Sequence, residues 1–307
     1  MKILRHPSSF AALNSGCVAT IGNFDGVHLG HQQVIQQVKQ QAQAMGLPSV
    51  VISFEPLPTE YFGRALPRIY PLRDKAIQLA GLGIDYFVCL AFNRALADMA
   101  AEDFVTELLL HNLQVRYLVV GDDFRFGRGR AGDYRMLQEL GAGAGMQVVD
   151  TPTFVYDEQR VSSTRIRQAL AEPDLGLVKK LLGGAYGLSG RVRHGDKRGR
   201  TINFPTLNLR IPDSIALAKG VYAVLISGLG KHTLKGVANV GARPTVNGVN
   251  MRLETHVFDF NAQVYQKQVC IEPIAYLRPE QRFESFDALK AQIVQDAEQA
   301  RSLLAVY

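Results

Sequence analysis

The chain has 307 residues, 47% of them hydrophobic and 20% charged, and 34 Lys and Arg against 28 Asp and Glu give a formal net charge of +6. This composition argues against disordered and fibrous classes; no run of about 18 apolar residues predicts a membrane-spanning helix, and Met1–Pro7 lacks the apolar core of a secretion signal. The length points to two domains, and Cys17, Cys89 and Cys270 lie far apart, the first two within apolar runs, so they read as reduced core thiols of a cytoplasmic protein.

In the first half, apolar runs at about 17–21, 49–54, 86–91, 117–121 and 147–150 predict buried parallel strands. Helical stretches at about 30–45, 73–81, 101–112 and 133–141 alternate with them, and in the first of these Val34, Val38, Ala42 and Met45 share a face. The alternation predicts a Rossmann-like, doubly wound α/β sheet, with ligands beyond the carboxyl ends of its strands. Three unusual segments fall at that edge: Gly22-Asn23-Phe24-Asp25-Gly26 after the first strand, Glu55-Pro56 after the second, and Gly121-Asp122-Asp123-Phe124-Arg125-Phe126-Gly127 after the fourth.

The first segment continues as Val27-His28-Leu29-Gly30-His31 into a helix start. A helix N-terminus offers free N–H groups and positive partial charge to phosphate, and glycines let the backbone approach a ligand. His28 and His31, three apart, face the same side of a first turn and suit charge stabilisation on a polyphosphate during nucleotidyl transfer. The plainer alternative is a tight turn carrying two surface histidines. Further on, Ser162, Ser163 or Thr164 can cap a helix whose first turn holds Arg165 and Arg167, an arrangement that makes sense beside a bound anion.

Near residue 183 the pattern changes. Gly183-Gly184-Ala185-Tyr186-Gly187 reads as a junction dividing a domain at 1–182 from one at 183–307. Beyond it, strands at about 186–193, 221–227, 233–240, 251–260 and 267–277 predict a small antiparallel barrel. It is closed by a helix in which Phe286, Leu289, Ile293 and Ala297 recur at helical spacing and pack as core.

This second domain carries its own basic, glycine-rich loop, Gly190 to Arg200, a reasonable anion cradle that is not a Walker sequence. Arg125, Arg128 and Arg130 form a similar cluster in the first domain. Both clusters sit in loops, which favours compact phosphate sites over a nucleic-acid stripe, although charge runs also occur as plain solvated faces. Thr206 and Asn208, two apart in an extended segment, point to one face and offer hard oxygen ligands of the kind Mg²⁺ accepts; alternatively they are surface residues at a strand start. In Met251–Phe260, alternation puts Glu254, His256 and Phe258 on one face and Leu253, Thr255 and Val257 on the other. Glu254 is a general base for a hydroxyl if its face is inward, and inert if it is outward.

The ordered motifs G-N-F-D-G-V-H-x-G-H, F-E-P, G-D-D-F-R-F-G-x-G-R-x-G-D, S-S-T-R-I-R, F-P-T-x-N, R-P-T and L-E-x-H-x-F-D-F resemble the bacterial bifunctional riboflavin kinase/FMN adenylyltransferase (FAD synthetase) family from about residue 15 to the C-terminus. The resemblance implies that the N-terminal domain transfers AMP from ATP to FMN. Gly22–Gly26, His28 and His31 would serve the ATP phosphates, with Asp123 near the nucleotide and Ser162, Ser163, Thr164 and Arg167 closing on them. It implies that the C-terminal domain phosphorylates riboflavin. Thr206 and Asn208 would hold Mg²⁺, Glu254 would be the base, and Gly190, His194, Gly195, Lys197, Gly199 and Arg200 would cradle the nucleotide. Arg243 is a candidate for the flavin. Riboflavin, FMN and ATP would be the partners, with no nucleic acid and no membrane, and the oligomeric state is left open. The chain departs from the family pattern at Leu57, where F-E-P-H-P is usual, at Leu207, where F-P-T-A-N is usual, and at Gly184-Ala185-Tyr186, where G-R-P-Y is common. Two alternatives stand beside this reading: a single-activity nucleotidyltransferase whose barrel binds flavin, and one whose barrel binds RNA. Against the latter, the barrel lacks aromatics interleaved with Lys or Arg.

Overall fold

A computed structural model describes residues 1–64, 66–121, 123–193, 204–245 and 248–307, with only the backbone of 243–245 and 248–250. The predicted site residues His194, Gly195, Lys197, Gly199 and Arg200, and the side chain of Arg243, lie outside the described residues. The chain forms two compact units, one from Met1–Leu66 with Lys75–Ser163, the other from Pro67–Asp74 with Thr164–Tyr307.

The first unit holds a parallel sheet of β1 (Lys2–Leu4), β2 (Cys17–Ile21), β3 (Ser49–Glu55), β4 (Tyr86–Ala91), β5 (Val115–Gly121) and β6 (Gln147–Thr151) in the order β1-β4-β3-β2-β5-β6. Every residue of β2 is buried, as a central strand covered on both faces requires. Strand order reverses between β2 and β5, so the carboxyl ends of these two strands form the crevice where doubly wound sheets bind ligands. The helix Leu29–Met45 leads from β2 to β3 and buries Ile35, Val38 and Ala42. Its buried face is turned slightly from the predicted one: Ile35 replaces Val34 at the centre, and Met45, beside the capping Gly46, is 40% exposed. The predicted helix at 101–112 begins as a turn at Ala101–Asp103 and continues over Phe104–Asn112 with wider i→i+5 bonding. A small hairpin, β7 (Val155–Tyr156) with β8 (Gln159–Arg160), follows β6.

The second unit is an antiparallel sheet of β9 (Leu188–Arg191), β10 (Thr206–Arg210), β11 (Gly220–Ser227), β12 (Leu234–Thr245), β13 (Gly248–Val257) and β14 (Gln268–Arg278), in the order β10-β13-β12-β11-β14-β9. A backbone bridge, in which the Arg193 N–H donates to the Asn208 carbonyl at 2.9 Å, brings the two edges together and nearly closes a barrel. A helix at Leu175–Leu182, absent from the sequence reading, runs between an Asp174 cap and Gly183, whose φ of 70° supplies the left-handed stop. Just beyond, Tyr186 is buried, stacks on Tyr70 at 5.2 Å and donates its hydroxyl to the Ile69 carbonyl. The C-terminal helix, Phe286–Leu303, starts at a Ser285 cap. Its second half packs as predicted, Ala297, Ala300 and Leu304 meeting Val221, Ala223, Val237 and Phe258. Its first half does not pack as core: Phe286 is 56% exposed, and Leu289 and Ile293 overhang a cavity. No described helix is long and apolar enough to cross a membrane.

Candidate active sites

In the first unit, Gly22 to His31 turns sharply out of β2. Phe24 and Val27 adopt left-handed backbone at φ 46° and 45°, a conformation that disfavours a β-branched residue, and Gly26 lies at φ 90°. The turn is held from several sides. Ser53 Oγ, from β3, donates to the Asn23 carbonyl at 3.1 Å, Ser163 Oγ donates to the Asp25 carbonyl at 2.8 Å, and Gln32 Nε2 donates to the Val27 carbonyl at 2.9 Å.

His28 is the N-cap of the helix Leu29–Met45. Its Nδ1 accepts the His31 backbone N–H at 3.3 Å, which assigns its proton to Nε2. The His28 and His31 rings stack with centroids 3.6 Å apart, and a Cβ on Gly30 would sit 3.3 Å from the His28 ring, so a side chain there would crowd the stacked pair. Phe24 tilts against His31 at 5.0 Å. His28 is buried and the His31 Nδ1 is buried without a partner, so the alternative of two surface histidines is set aside. Burial first, then the His28 ring and the Lys75 charge, hold His31 well below the usual histidine range, so it is neutral at physiological pH. The first turn of the helix carries no acidic side chain, which leaves its positive end unneutralised by its own sequence.

The remaining predicted residues of this site are more scattered. Asp123 sits at the exposed edge beyond β5, where Arg160 of β8 pairs with it at 3.0 Å. Ser162 is half-buried and Ser163 reaches the turn as described. Thr164 and Arg167 belong to the second unit, where Arg167 Nε donates to the Pro67 carbonyl at 2.7 Å. Of the arginine cluster, Arg125 pairs with Asp133, the cap of the helix Tyr134–Gly143, at 3.2 Å.

In the second unit, strand register aligns the chemistry. Asn208 of β10 stands opposite Glu254 of β13, Glu254 opposite Asn239 of β12, Asn239 opposite Val221 of β11, and Val221 opposite Arg278 of β14. The next row sets Thr206 opposite His256, and His256 opposite Val237. Leu253, Thr255 and Val257 are buried on the opposite face. The alternation was therefore read correctly, and the face it left open is settled: Glu254 and His256 line a cavity of about 520 Å³ beneath the first half of the C-terminal helix. Phe204, Phe283, Phe286, Leu289 and Ile293 give that cavity an apolar wall, while Glu254, Asn239 and Glu280 supply polar groups. His256 Nδ1 lies 3.0 Å from the Pro205 carbonyl, and burial lowers its pKa.

The Asn208 side-chain oxygen is buried and has no hydrogen-bond partner among the described residues, while its Nδ2 donates to the Thr206 carbonyl at 3.4 Å. An orphaned amide oxygen is costly unless a ligand completes it. With the Thr206 hydroxyl on the same face, the donor set is hard and fits Mg²⁺. Thr206 also lines a second cavity of about 580 Å³, bounded by Val192, Leu207, Val257 and Val264, so it borders both spaces. Gly190 is buried in β9, paired with Val269, and a Cβ there would lie 3.2 Å from Leu209; the structure thus gives this glycine a packing reason.

The FAD synthetase family model matches residues 11–165 and the riboflavin kinase model matches residues 182–304. The chain is 45% identical over 304 residues to the bifunctional riboflavin kinase/FMN adenylyltransferase of Escherichia coli, covering 98% of this chain and 97% of that one. The chain belongs to the bifunctional riboflavin kinase/FMN adenylyltransferase family. The Haemophilus influenzae member is 44% identical, with 98% and 99% covered, and the Pseudomonas fluorescens member is 41% identical, with 99% and 98% covered. A solved structure from Streptococcus pneumoniae, described as a macrolide-efflux protein, is 28% identical with a TM-score of 0.81 and covers 98% of this chain and 99% of its own. With a riboflavin kinase match over the barrel, the alternatives of a single activity beside a flavin- or RNA-binding barrel are set aside.

Several residues of this family member escaped the sequence reading. Asn239 and Arg278 enter the Glu254 row only through strand register. Arg278 holds Asp296 of the C-terminal helix in a bidentate pair, Nε–Oδ1 at 2.9 Å and Nη2–Oδ2 at 2.7 Å, and Gln292 adds a bond to the same carboxylate. The readable signal was Asp296, an acid directly beside the apolar position Ala297. Lys75 was missed too, although it falls at an apolar position of its helix, between Leu72 and Leu79.

Proposed function

We propose that the two transferase activities of this family are divided over the chain, with residues 1–182 transferring AMP from ATP to FMN and residues 183–307 phosphorylating riboflavin. In the adenylyl transfer, an FMN phosphate oxygen attacks the α-phosphorus of ATP, the bond to the bridging oxygen breaks, and pyrophosphate leaves. Gly22, Asn23, Phe24, Asp25 and Gly26 shape the phosphate site at the sheet crevice, and His28 and His31 stabilise the developing charge as neutral N–H donors. Asp123, Ser162, Ser163, Thr164 and Arg167 complete the nucleotide contacts.

In the kinase reaction, the ribityl hydroxyl attacks the γ-phosphorus of ATP, Glu254 takes its proton, and ADP leaves. The apolar cavity beneath the C-terminal helix receives the flavin, with Arg243 as a further contact. The nucleotide occupies the space on the other side of Thr206, with His194, Gly195, Lys197, Gly199 and Arg200 as its further contacts, whereas Gly190 serves packing within β9. Thr206 and Asn208 hold Mg²⁺, which when bound neutralises phosphate charge. The observation that carries this reading is the orphaned Asn208 oxygen, set in one row with Glu254 and two residues from Thr206, which lines both cavities. Both reactions need ATP, and with Cys17, Cys89 and Cys270 joined in no disulfide they fit a cytoplasmic setting.

The test is direct. Riboflavin incubated with the protein and MgATP, with flavins separated by chromatography, is expected to yield FMN and then FAD. No FMN at saturating substrates would overturn the kinase half, and no FAD from supplied FMN would overturn the other.

A further inference from the structure

The helix Leu72–Gly81 carries Lys75, which is 1% exposed although its side chain ends in a charged group. Burying an ammonium is costly unless its donors are satisfied. The Lys75 Nζ donates to the Asn23 carbonyl at 2.7 Å and to Ser53 Oγ at 3.3 Å, and the Ser53 hydroxyl donates to the same carbonyl at 3.1 Å. Two donors from two different elements therefore converge on one peptide oxygen. That oxygen belongs to the peptide that opens the left-handed stretch Phe24–Val27. Because the peptide is planar and trans, fixing the Asn23 carbonyl toward Lys75 aims the Phe24 N–H the opposite way. The charge of Lys75 also adds, after burial and His28, to the forces that keep His31 neutral.

We infer that Lys75, relayed by Ser53, is a positioning residue for adenylyl transfer: it anchors the Asn23 carbonyl and thereby holds the turn that carries His28 in its phosphate-binding shape. This rests on the reading of that turn as the ATP phosphate site. The lysine touches no substrate in this account; it acts through the backbone it grips. Misplacement of about 1 Å in such a site costs up to about a hundredfold in rate.

The experiment uses the full chain in three variants, each assayed for both activities, with riboflavin kinase turnover reporting the folded fraction. Lys75→Met keeps the aliphatic stem and removes the ammonium; Ser53→Ala removes only the relaying hydroxyl and serves if the first variant fails to fold. Both are expected to lower kcat for FAD formation, Lys75→Met by about tenfold to a hundredfold and Ser53→Ala by less, with KM for FMN and riboflavin kinase turnover unchanged. A loss of both activities in parallel would mean a merely structural lysine and would overturn the inference. So would parental kcat and KM for ATP in both variants while His28→Ala abolishes FAD formation. Unimpaired FAD formation in His28→Ala would instead overturn the reading of the turn on which the inference rests.

Discussion

Burial, then the stacked His28 and the nearby Lys75 charge, make a proton on His31 less favourable. An unfolded histidine takes up a proton near 6.5, whereas this buried ring does so only well below that. The unfolded state thus binds more protons once the pH drops under about 6.5, so the stability owed to neutral His31 is fully present above that value and is lost as pH falls toward the folded pKa. The expected outcome is a melting midpoint, followed by circular dichroism, that declines from pH 7.5 to pH 5.5, with a shallower decline in His31→Gln. An equal decline in both proteins would show that other groups set it. The histidine pair itself was legible, because its chemistry lies within ten consecutive residues. Lys75 was not, because its meaning comes from Asn23 and Ser53, which are distant in sequence. Glu254 stood between these cases: period-two alternation identified its companions, but which face the helix covers depends on packing that no local window contains.

The C-terminal helix shows how one amphipathic stripe serves two purposes. The spacing of Phe286, Leu289, Ile293 and Ala297 reads as one continuous core face, and periodicity cannot distinguish a filled core from an apolar wall awaiting a ligand. The structure divides the stripe near Asp296, whose bidentate grip on Arg278 fastens the helix to β14 while the first half overhangs the cavity. Asp296 is almost fully buried and Arg278 nearly so, so Asp296→Ala strands a half-desolvated guanidinium and is expected to cost about 3 kcal/mol in urea unfolding. In the kinase assay the same variant is expected to raise KM for riboflavin more than KM for ATP; equal changes would mean that the helix does not shape the flavin side. Other elements were illegible for simpler reasons. β1 has three residues and acquires meaning only from its pairing with β4. The helix Leu175–Leu182 carried an Asp cap and a Gly stop, but that glycine also begins a Gly-Gly pair that reads as a junction.

At the scale of the whole molecule, the two sets of proposed catalytic groups reside in different compact units, His28 and His31 in one and Glu254 in the other. The activities are therefore expected to be separable. Glu254→Gln should abolish FMN formation from riboflavin by removing the base, leaving FAD formation from supplied FMN intact. His28→Ala combined with His31→Ala should do the reverse. Both activities falling together in either protein would contradict independent sites. Motif order along the chain made the two-part organisation readable, since each motif is local. That Thr206 borders two cavities was not readable, because it depends on how β10 faces its neighbours.

Asn208 has one further consequence. Its carbonyl closes the barrel against Arg193 through the main chain, while its side-chain oxygen has no partner among the described residues. The closing bond is indifferent to side-chain identity, since every residue has that carbonyl. A substitution at this position can therefore change the side-chain chemistry offered beside Glu254 while the seam bond persists, so the scaffold tolerates a change that the proposed metal site would not.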